Sequence, residues 1–244
     1  HSGGLMAKVR SQFLCNSCGS VHPKWMGKCP DCGTWDSLEE YKTPTPDARR
    51  PGASGRQTAD LTHGADPVSI GRIDEEDLPR ITSGLGEFDR ILGGGIVPGS
   101  AVLVGGEPGI GKSTLLLQVA NALAADKAHA SGGVKVLYVT SEESARQTRL
   151  RAGRLGIDAP SLLVLAETNL ERILNQIHKT SPSVVVIDSI QMVYKPQLPA
   201  APGSVTQLRD CCMDLVYLAK SSGIAVLIVG HVTKAGTLAG PKII

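Results

Sequence analysis

The chain has 244 residues, enough for one large domain or two unequal ones. Hydrophobic residues make up 41% of it but aromatics only 3%, so any core must be largely aliphatic. A formal net charge of +2 is too small to argue for nucleic acid on its own, and no apolar run approaches the roughly 18 residues of a membrane helix.

No signal-peptide pattern opens the chain, and residues 1–5, which precede Met6, are read as an expression remnant. Residues 6–42 then hold four of the six cysteines. Cys15-Asn16-Ser17-Cys18-Gly19 and Cys29-Pro30-Asp31-Cys32-Gly33 both spell C-x-x-C-G. Two such turns form the halves of a tetrahedral four-thiolate site, and a glycine after the second cysteine supplies the positive φ of the turn. The metal expected at Cys15, Cys18, Cys29 and Cys32 is structural Zn²⁺, with iron in a rubredoxin-like knuckle as the alternative. Both tryptophans, Trp25 and Trp35, lie here beside Lys24 and Lys28. The module is either a folding staple or a platform for DNA or another protein. Paired thiols held for metal rather than for disulfides point to a reducing cytoplasm. Cys211 and Cys212 are read as ordinary helix residues.

From Thr43 the composition turns to Thr, Pro, Ala, Gly and Arg, which marks a flexible linker over residues 43–70. Residues 71–244 alternate short apolar strands with helical patterns, the signature of an α/β domain with a parallel sheet. Strands are predicted near Ala101–Gly105, Lys135–Ser141, Ser161–Leu165, Ser183–Asp188 and Ala225–Val229. Helices are predicted over Ser113–Ala124, Ser144–Leu155, Leu170–Lys179 and Val205–Ser221.

Between the first strand and the first of these helices stands Gly106-Glu107-Pro108-Gly109-Ile110-Gly111-Lys112-Ser113, followed by Thr114. The G-x-x-x-x-G-K-[ST] spacing lets the backbone curl so that several N–H groups point at one phosphate. Lys112 adds a positive charge for the β- and γ-phosphates and Ser113 a hydroxyl for Mg²⁺. The strand Ser183–Asp188 ends in a carboxylate that a parallel sheet would bring to this loop, so Asp188 is the second Mg²⁺ residue. Another strand ends in Ser141-Glu142-Glu143, where Glu142 is the candidate base for the attacking water and Glu143 its competitor. His231, at the end of the last strand, is placed to bond the γ-phosphate and report its loss.

The cysteine knuckles with Gly27-Lys28-Cys29-Pro30 are followed by a lead-in, Arg80-Ile81-Thr82-Ser83-Gly84-Leu85-Gly86-Glu87-Phe88-Asp89-Arg90-Ile91-Leu92-Gly93-Gly94-Gly95. With the phosphate loop, Ser141-Glu142-Glu143, and Gly230-His231-Val232-Thr233-Lys234 with Leu238-Ala239-Gly240-Pro241, they resemble the RecA-like ATPases, and specifically a bacterial DNA-repair branch of them. The resemblance implies a RecA-like P-loop NTPase fold behind a small zinc module. It implies a DNA-dependent ATP hydrolase using ATP and Mg²⁺, a hexameric ring that moves on single-stranded DNA and promotes branch migration in homologous recombination and repair. Partners would be recombination intermediates, recombinase and replication proteins, and no membrane. DNA would meet loops at about Gln191–Gln207 and Val232–Lys242, with Lys195, Arg209, Lys234 and Lys242 as basic candidates. Arg146, Arg149, Arg151 and Arg154 share one predicted helix and are read as a solvated or subunit-facing surface. The branch also has a Lys-Asn-Arg-Phe-Gly motif and a C-terminal protease-like domain, absent from the sequence as it stands, so the ATPase domain is expected to be C-terminally incomplete. The alternative class is a nucleotide-gated assembly or timer protein with slow hydrolysis and no movement on DNA.

Overall fold

The computed structural model describes residues 11–15, 20–42, 69, 79–125 and 134–231. Cys18, most of the predicted linker, Lys234, Lys242 and the rest of the loop after His231 lie outside them.

Strands β1 (Ser11–Cys15), β2 (Val21–His22) and β3 (Leu38–Lys42) form an antiparallel sheet in the order β2-β1-β3. Its small apolar cluster is Cys15, Cys29 and Leu38, with Phe13 and Met26 packed against it. Among the described residues so little buried surface is far below what holds a domain of ordinary size together.

The five parallel strands are β4 (Ala101–Gly106), β5 (Val136–Thr140), β6 (Leu162–Ala166), β7 (Val184–Asp188) and β8 (Ala225–His231). They run in the order β4-β8-β7-β5-β6, so the last strand pairs with the one that feeds the phosphate loop. Residues of β5, β7 and β8 are nearly all buried because helices cover both faces, and side chains alternate between them. On one face Val136, Tyr138, Val184, Val186, Leu227 and Val229 meet Leu116, Leu117, Ala120 and Leu123 of α2 (Lys112–Ala125) and Ala152 of α3 (Ala145–Arg154). On the other, Leu137, Val139, Val185, Ile187, Val226 and Ile228 meet Ile173 and Ile177 of α4 (Leu170–Thr180) and Leu208, Cys211 and Leu215 of α5 (Val205–Ser222). The predicted α/β class with a parallel central sheet is the observed one, with element boundaries within about two residues of expectation.

Helix ends are set by local chemistry. Ser144 and Gln147 form a reciprocal capping box at the start of α3, and Ser204 caps α5 through the Gln207 N–H. Gly223, with φ 72°, closes α5 in the left-handed region.

A short helix, α1 (Gly86–Ile91), was not expected from the sequence; it buries no residue and so leaves no apolar period to read. Asp89 holds the turn before it, accepting from the Ser83 N–H and hydroxyl and the Gly84 N–H at 2.9, 2.8 and 3.0 Å. After α1, Gly95 has φ 134°, and a Cβ there would stand 2.8 Å from the Ile81 carbonyl oxygen. Only glycine lets the chain pass so close and exchange the Ile81–Ile96 backbone bonds, both 2.8 Å, that lead into β4.

Candidate nucleotide site and metal centre

The C-terminal ends of the parallel strands carry the site. Glu107 to Gly111 are exposed, while Lys112 is buried and its Nζ donates to the Gly106 and Glu107 carbonyl oxygens, each at 2.8 Å. Gly111 has φ 100°, which turns the chain directly into α2. The loop therefore presents backbone N–H groups ahead of a helix of fourteen residues, whose N-terminal dipole favours an anion.

Asp188, at the end of β7, is 6% exposed and faces the start of α2. Its Oδ1 accepts the Ser113 hydroxyl at 2.8 Å. The two predicted Mg²⁺ residues, 75 positions apart in sequence, are thus in direct contact. A hydroxyl and a carboxylate oxygen at the mouth of a phosphate loop are the hard oxygen donors that Mg²⁺ takes beside phosphate.

Strand β5 lies beside β7, with Thr140 opposite Asp188. Ser141 joins the two ends, its N–H donating to the Asp188 carbonyl at 2.8 Å and its hydroxyl to the Ser189 carbonyl at 2.7 Å. Glu142 then projects over the junction. Its Oε1 accepts the Ser189 hydroxyl and lies 3.1 Å from His231 Nε2. Burial disfavours the charged form of Glu142, but the Ser189 and His231 hydrogen bonds and the His231 and Lys112 charges outweigh it, holding the carboxyl below its usual range. His231 stands opposite Gly106 in the β4–β8 register, level with the start of the phosphate loop. Its backbone carbonyl accepts from Gln191 at 3.3 Å, and its Nδ1 is buried with no hydrogen-bond partner among the described residues.

Glu143 points elsewhere. Its Oε2 pairs with Arg151 Nη2 at 3.1 Å, and its backbone N–H and C=O bond the Thr140 hydroxyl. Arg151 is correspondingly a correction: it is not a solvated or subunit-facing charge but reaches inward from α3, with Nη2 3.6 Å from Asp188 Oδ2. That second carboxylate oxygen also accepts the Tyr138 hydroxyl, from a side chain with no exposed surface. Burial, then the Asp188 charge and hydrogen bond, push the Tyr138 phenol far above its usual range, so it stays protonated and donates. Arg149 does lie at the surface, paired with Asp158 at 3.6 Å.

In the loop after Asp188, Lys195 is tied down by Asp214 at 2.8 Å and Asp210 at 4.0 Å. Among the described basic candidates for DNA, Arg209 is the exposed one. Buried Gln207 fixes this loop, accepting from the Lys195 N–H at 2.9 Å and donating to the Lys195 and Ala200 carbonyls at 3.0 Å. Nothing in the sequence marked Gln207, because its partners carry no side-chain signature. Cys211 is buried and its thiol is pushed up to about 12 chiefly by burial, which fits the helix-residue reading.

In the small sheet the sulfurs of Cys15, Cys29 and Cys32 lie within 4.8 Å of one another, Cys15 and Cys32 at 3.6 Å. Metal–sulfur bonds of about 2.3 Å in a tetrahedron give S–S edges of about 3.8 Å, so the three fit a common ion. Gly33, after Cys32, has φ 72°, the turn expected of a knuckle. His22 Nε2 lies 3.7 Å from Cys29 Sγ and 3.6 Å from Asp31 Oδ2 at the edge of the cluster. Trp25 and Trp35 are exposed, with Lys28 Nζ 5.6 Å from the centre of the Trp35 ring.

A phosphate loop meeting a strand-end carboxylate on a sheet of this order defines a P-loop nucleotide-binding domain. The family model for the AAA domain matches residues 80–237, and the chain belongs to that family. The model for the rubredoxin metal binding domain matches residues 13–40. Among curated proteins the chain is similar to the DNA repair protein RadA of Bacillus subtilis, 49% identical over 98% of this chain. It is likewise similar to the RadA proteins of Listeria monocytogenes and Pseudomonas aeruginosa, each 45% identical over 98% of this chain. The chain spans about half the length of these relatives, 50% in each case. Among solved structures, a KaiC-like protein of Pyrococcus horikoshii shares the fold, with a TM-score of 0.54, 23% identity, and coverage of 66% of this chain and 74% of that one. No helix among the described residues is long and apolar enough to cross a membrane.

Proposed function

We propose that the chain is the ATP-hydrolysing part of a DNA-repair motor that acts on single-stranded DNA. The observation that carries the reading is the meeting of Ser113 with Asp188 directly beside Glu142. That meeting supports the reading, because hydrolysis of a triphosphate requires a cation site and a base at the mouth of one phosphate loop. Similarity to the DNA repair proteins RadA supplies the DNA side of the proposal.

In this reading the loop backbone from Gly106 to Ser113 binds the phosphates, and Lys112 leaves its two carbonyl partners to pair with the terminal ones. Ser113 and Asp188 would hold Mg²⁺, which when bound offsets charge on the phosphates. Glu142 accepts the proton of the attacking water. His231, already bonded to Glu142, exchanges that partner for the γ-phosphate and passes its loss to the segment that follows β8. Zn²⁺ at Cys15, Cys18, Cys29 and Cys32 would hold the N-terminal module folded. A homo-oligomeric ring around the DNA, working on recombination intermediates with recombinase and replication proteins, completes the reading.

Steady-state ATP hydrolysis with and without single-stranded DNA tests it. Several-fold stimulation by DNA is expected, and Glu142→Gln should lower turnover by about 100-fold or more while nucleotide still binds. Turnover that ignores DNA would move the assignment to a nucleotide-gated assembly or timer. Full turnover in Glu142→Gln would remove Glu142 as the base.

A further inference from the structure

Asp188 carries the cation side of the proposed site, yet one of its two carboxylate oxygens is spent on groups outside the phosphate loop. Oδ1 accepts from Ser113 at 2.8 Å, while Oδ2 accepts the Tyr138 hydroxyl and lies 3.6 Å from Arg151 Nη2. Tyr138 stands in β5 opposite Val186 of β7, on the sheet face covered by α2. Its hydroxyl also lies 3.4 Å from the Ser113 backbone carbonyl. The ring is wholly buried among Leu, Val and Ala, where phenylalanine would pack as well. The hydroxyl is therefore present for its hydrogen bonds, and the closer of its two acceptors is Asp188.

We infer that Tyr138 and Arg151 are positioning residues for the cation: they occupy Asp188 Oδ2 and stop the carboxylate rotating, so that Oδ1 and the Ser113 hydroxyl face the phosphate loop as a fixed pair. A carboxylate bonded at one oxygen only can rotate about its Cβ–Cγ bond, and a cation that depends on it then meets several orientations rather than one. Arg151 adds a second restraint. The same Nη2 holds Glu143 at 3.1 Å, so the guanidinium ties the end of β5, which carries Glu142, to the end of β7. The inference rests on the nucleotide-site reading given above and goes beyond it by naming what sets the cation's place.

The test is equilibrium binding of a fluorescent ATP analogue, first in EDTA and then across a Mg²⁺ titration. Tyr138→Phe should bind as the wild type does in EDTA, because the one loop group its hydroxyl approaches is the Ser113 carbonyl, an acceptor that takes no part in holding phosphate. Its Mg²⁺ midpoint should rise by about tenfold, the effect of losing one hydrogen bond to a charged group. Arg151→Lys keeps the charge but loses the planar fork, and should raise the midpoint by about threefold. In an Asp188→Asn background Tyr138→Phe should move the midpoint by less than about twofold, since the effect runs through that carboxylate. Thermal melting without nucleotide checks that each variant is folded; if Tyr138→Phe does not fold, Arg151→Lys, whose side chain is 21% exposed, carries the test.

An unmoved midpoint in a folded variant would overturn the inference, and so would an equal shift in the Asp188→Asn background. A wild-type chain whose nucleotide binding ignores Mg²⁺ would instead overturn the nucleotide-site reading on which it stands.

Discussion

Glu142 is 45% exposed at its side chain, yet it is held ionised by what surrounds it. Burial works against the charge; the Ser189 hydroxyl, His231 and Lys112 work for it and prevail. The sign follows from linkage. A carboxyl whose folded value lies below the usual glutamate value of about 4.3 stays charged as pH falls past that value, and loses its charge only at the lower folded one. The acid limb of kcat/KM, which reports the free enzyme, should therefore lie below the ordinary carboxylate range. Replacing His231 by alanine removes both a hydrogen bond and a positive charge, so the limb should move to higher pH. A pH profile of kcat/KM, which reports the enzyme before nucleotide draws His231 away, checks this for His231→Ala, and a limb that stays in place would mean that His231 does not act on Glu142. Glu143 does not share this arrangement, because its carboxylate pairs with Arg151 instead.

At the scale of elements, what could be read in the sequence divides by the distance over which the determining contacts act. The strands were legible because β5, β7 and β8 are continuous apolar runs, buried on both faces. The phosphate loop was legible because backbone geometry alone fixes its glycine spacing. That Asp188 and Glu142 would lie near the phosphate loop was legible because strand ends in a parallel sheet share one edge. In the sequence Tyr138 reads as a strand residue and Arg151 as a surface charge, since the partner they share lies 50 and 37 positions away and only the crossover order brings it near. Gln207 escaped for a related reason: it bonds backbone groups of the preceding loop, and these have no sequence signature. That contact gives the loop a testable fragility. Gln207→Leu keeps the volume but leaves the Lys195 N–H and the Lys195 and Ala200 carbonyls to find other partners. Buried groups so orphaned cost about 1–3 kcal/mol each, less where water can reach them. Limited proteolysis should then cut within residues 195–204 far faster than in the wild type. Nucleotide binding in EDTA should be unchanged, because α2 and the phosphate loop do not contact this clamp.

At the scale of the whole molecule, two sheets with separate apolar clusters depend on different forces. The five-stranded sheet buries aliphatic residues on both faces and needs no metal to cohere. Among the described residues the three-stranded sheet buries Cys15, Cys29 and Leu38 as its apolar residues, and two of those three belong to the cysteine cluster that could hold a metal ion. A module of that size would draw its folding free energy from a bound ion, so removing the ion should remove the fold. The chain supplies its own reporter, since its two tryptophans, Trp25 and Trp35, both belong to this module. A zinc-selective chelator should change tryptophan emission and release the thiols of Cys15, Cys29 and Cys32 to an alkylating reagent. Cys211, buried in α5 with its thiol pushed up to about 12, should stay unmodified under the same treatment. Cys29→Ser should give the chelated emission without chelator. Mg²⁺-free binding of the fluorescent nucleotide should survive both treatments, because none of its groups lies in the metal sheet. Loss of that binding together with the metal would show instead that the small module supports the fold of the large one, and would make the ion part of the nucleotide site's stability.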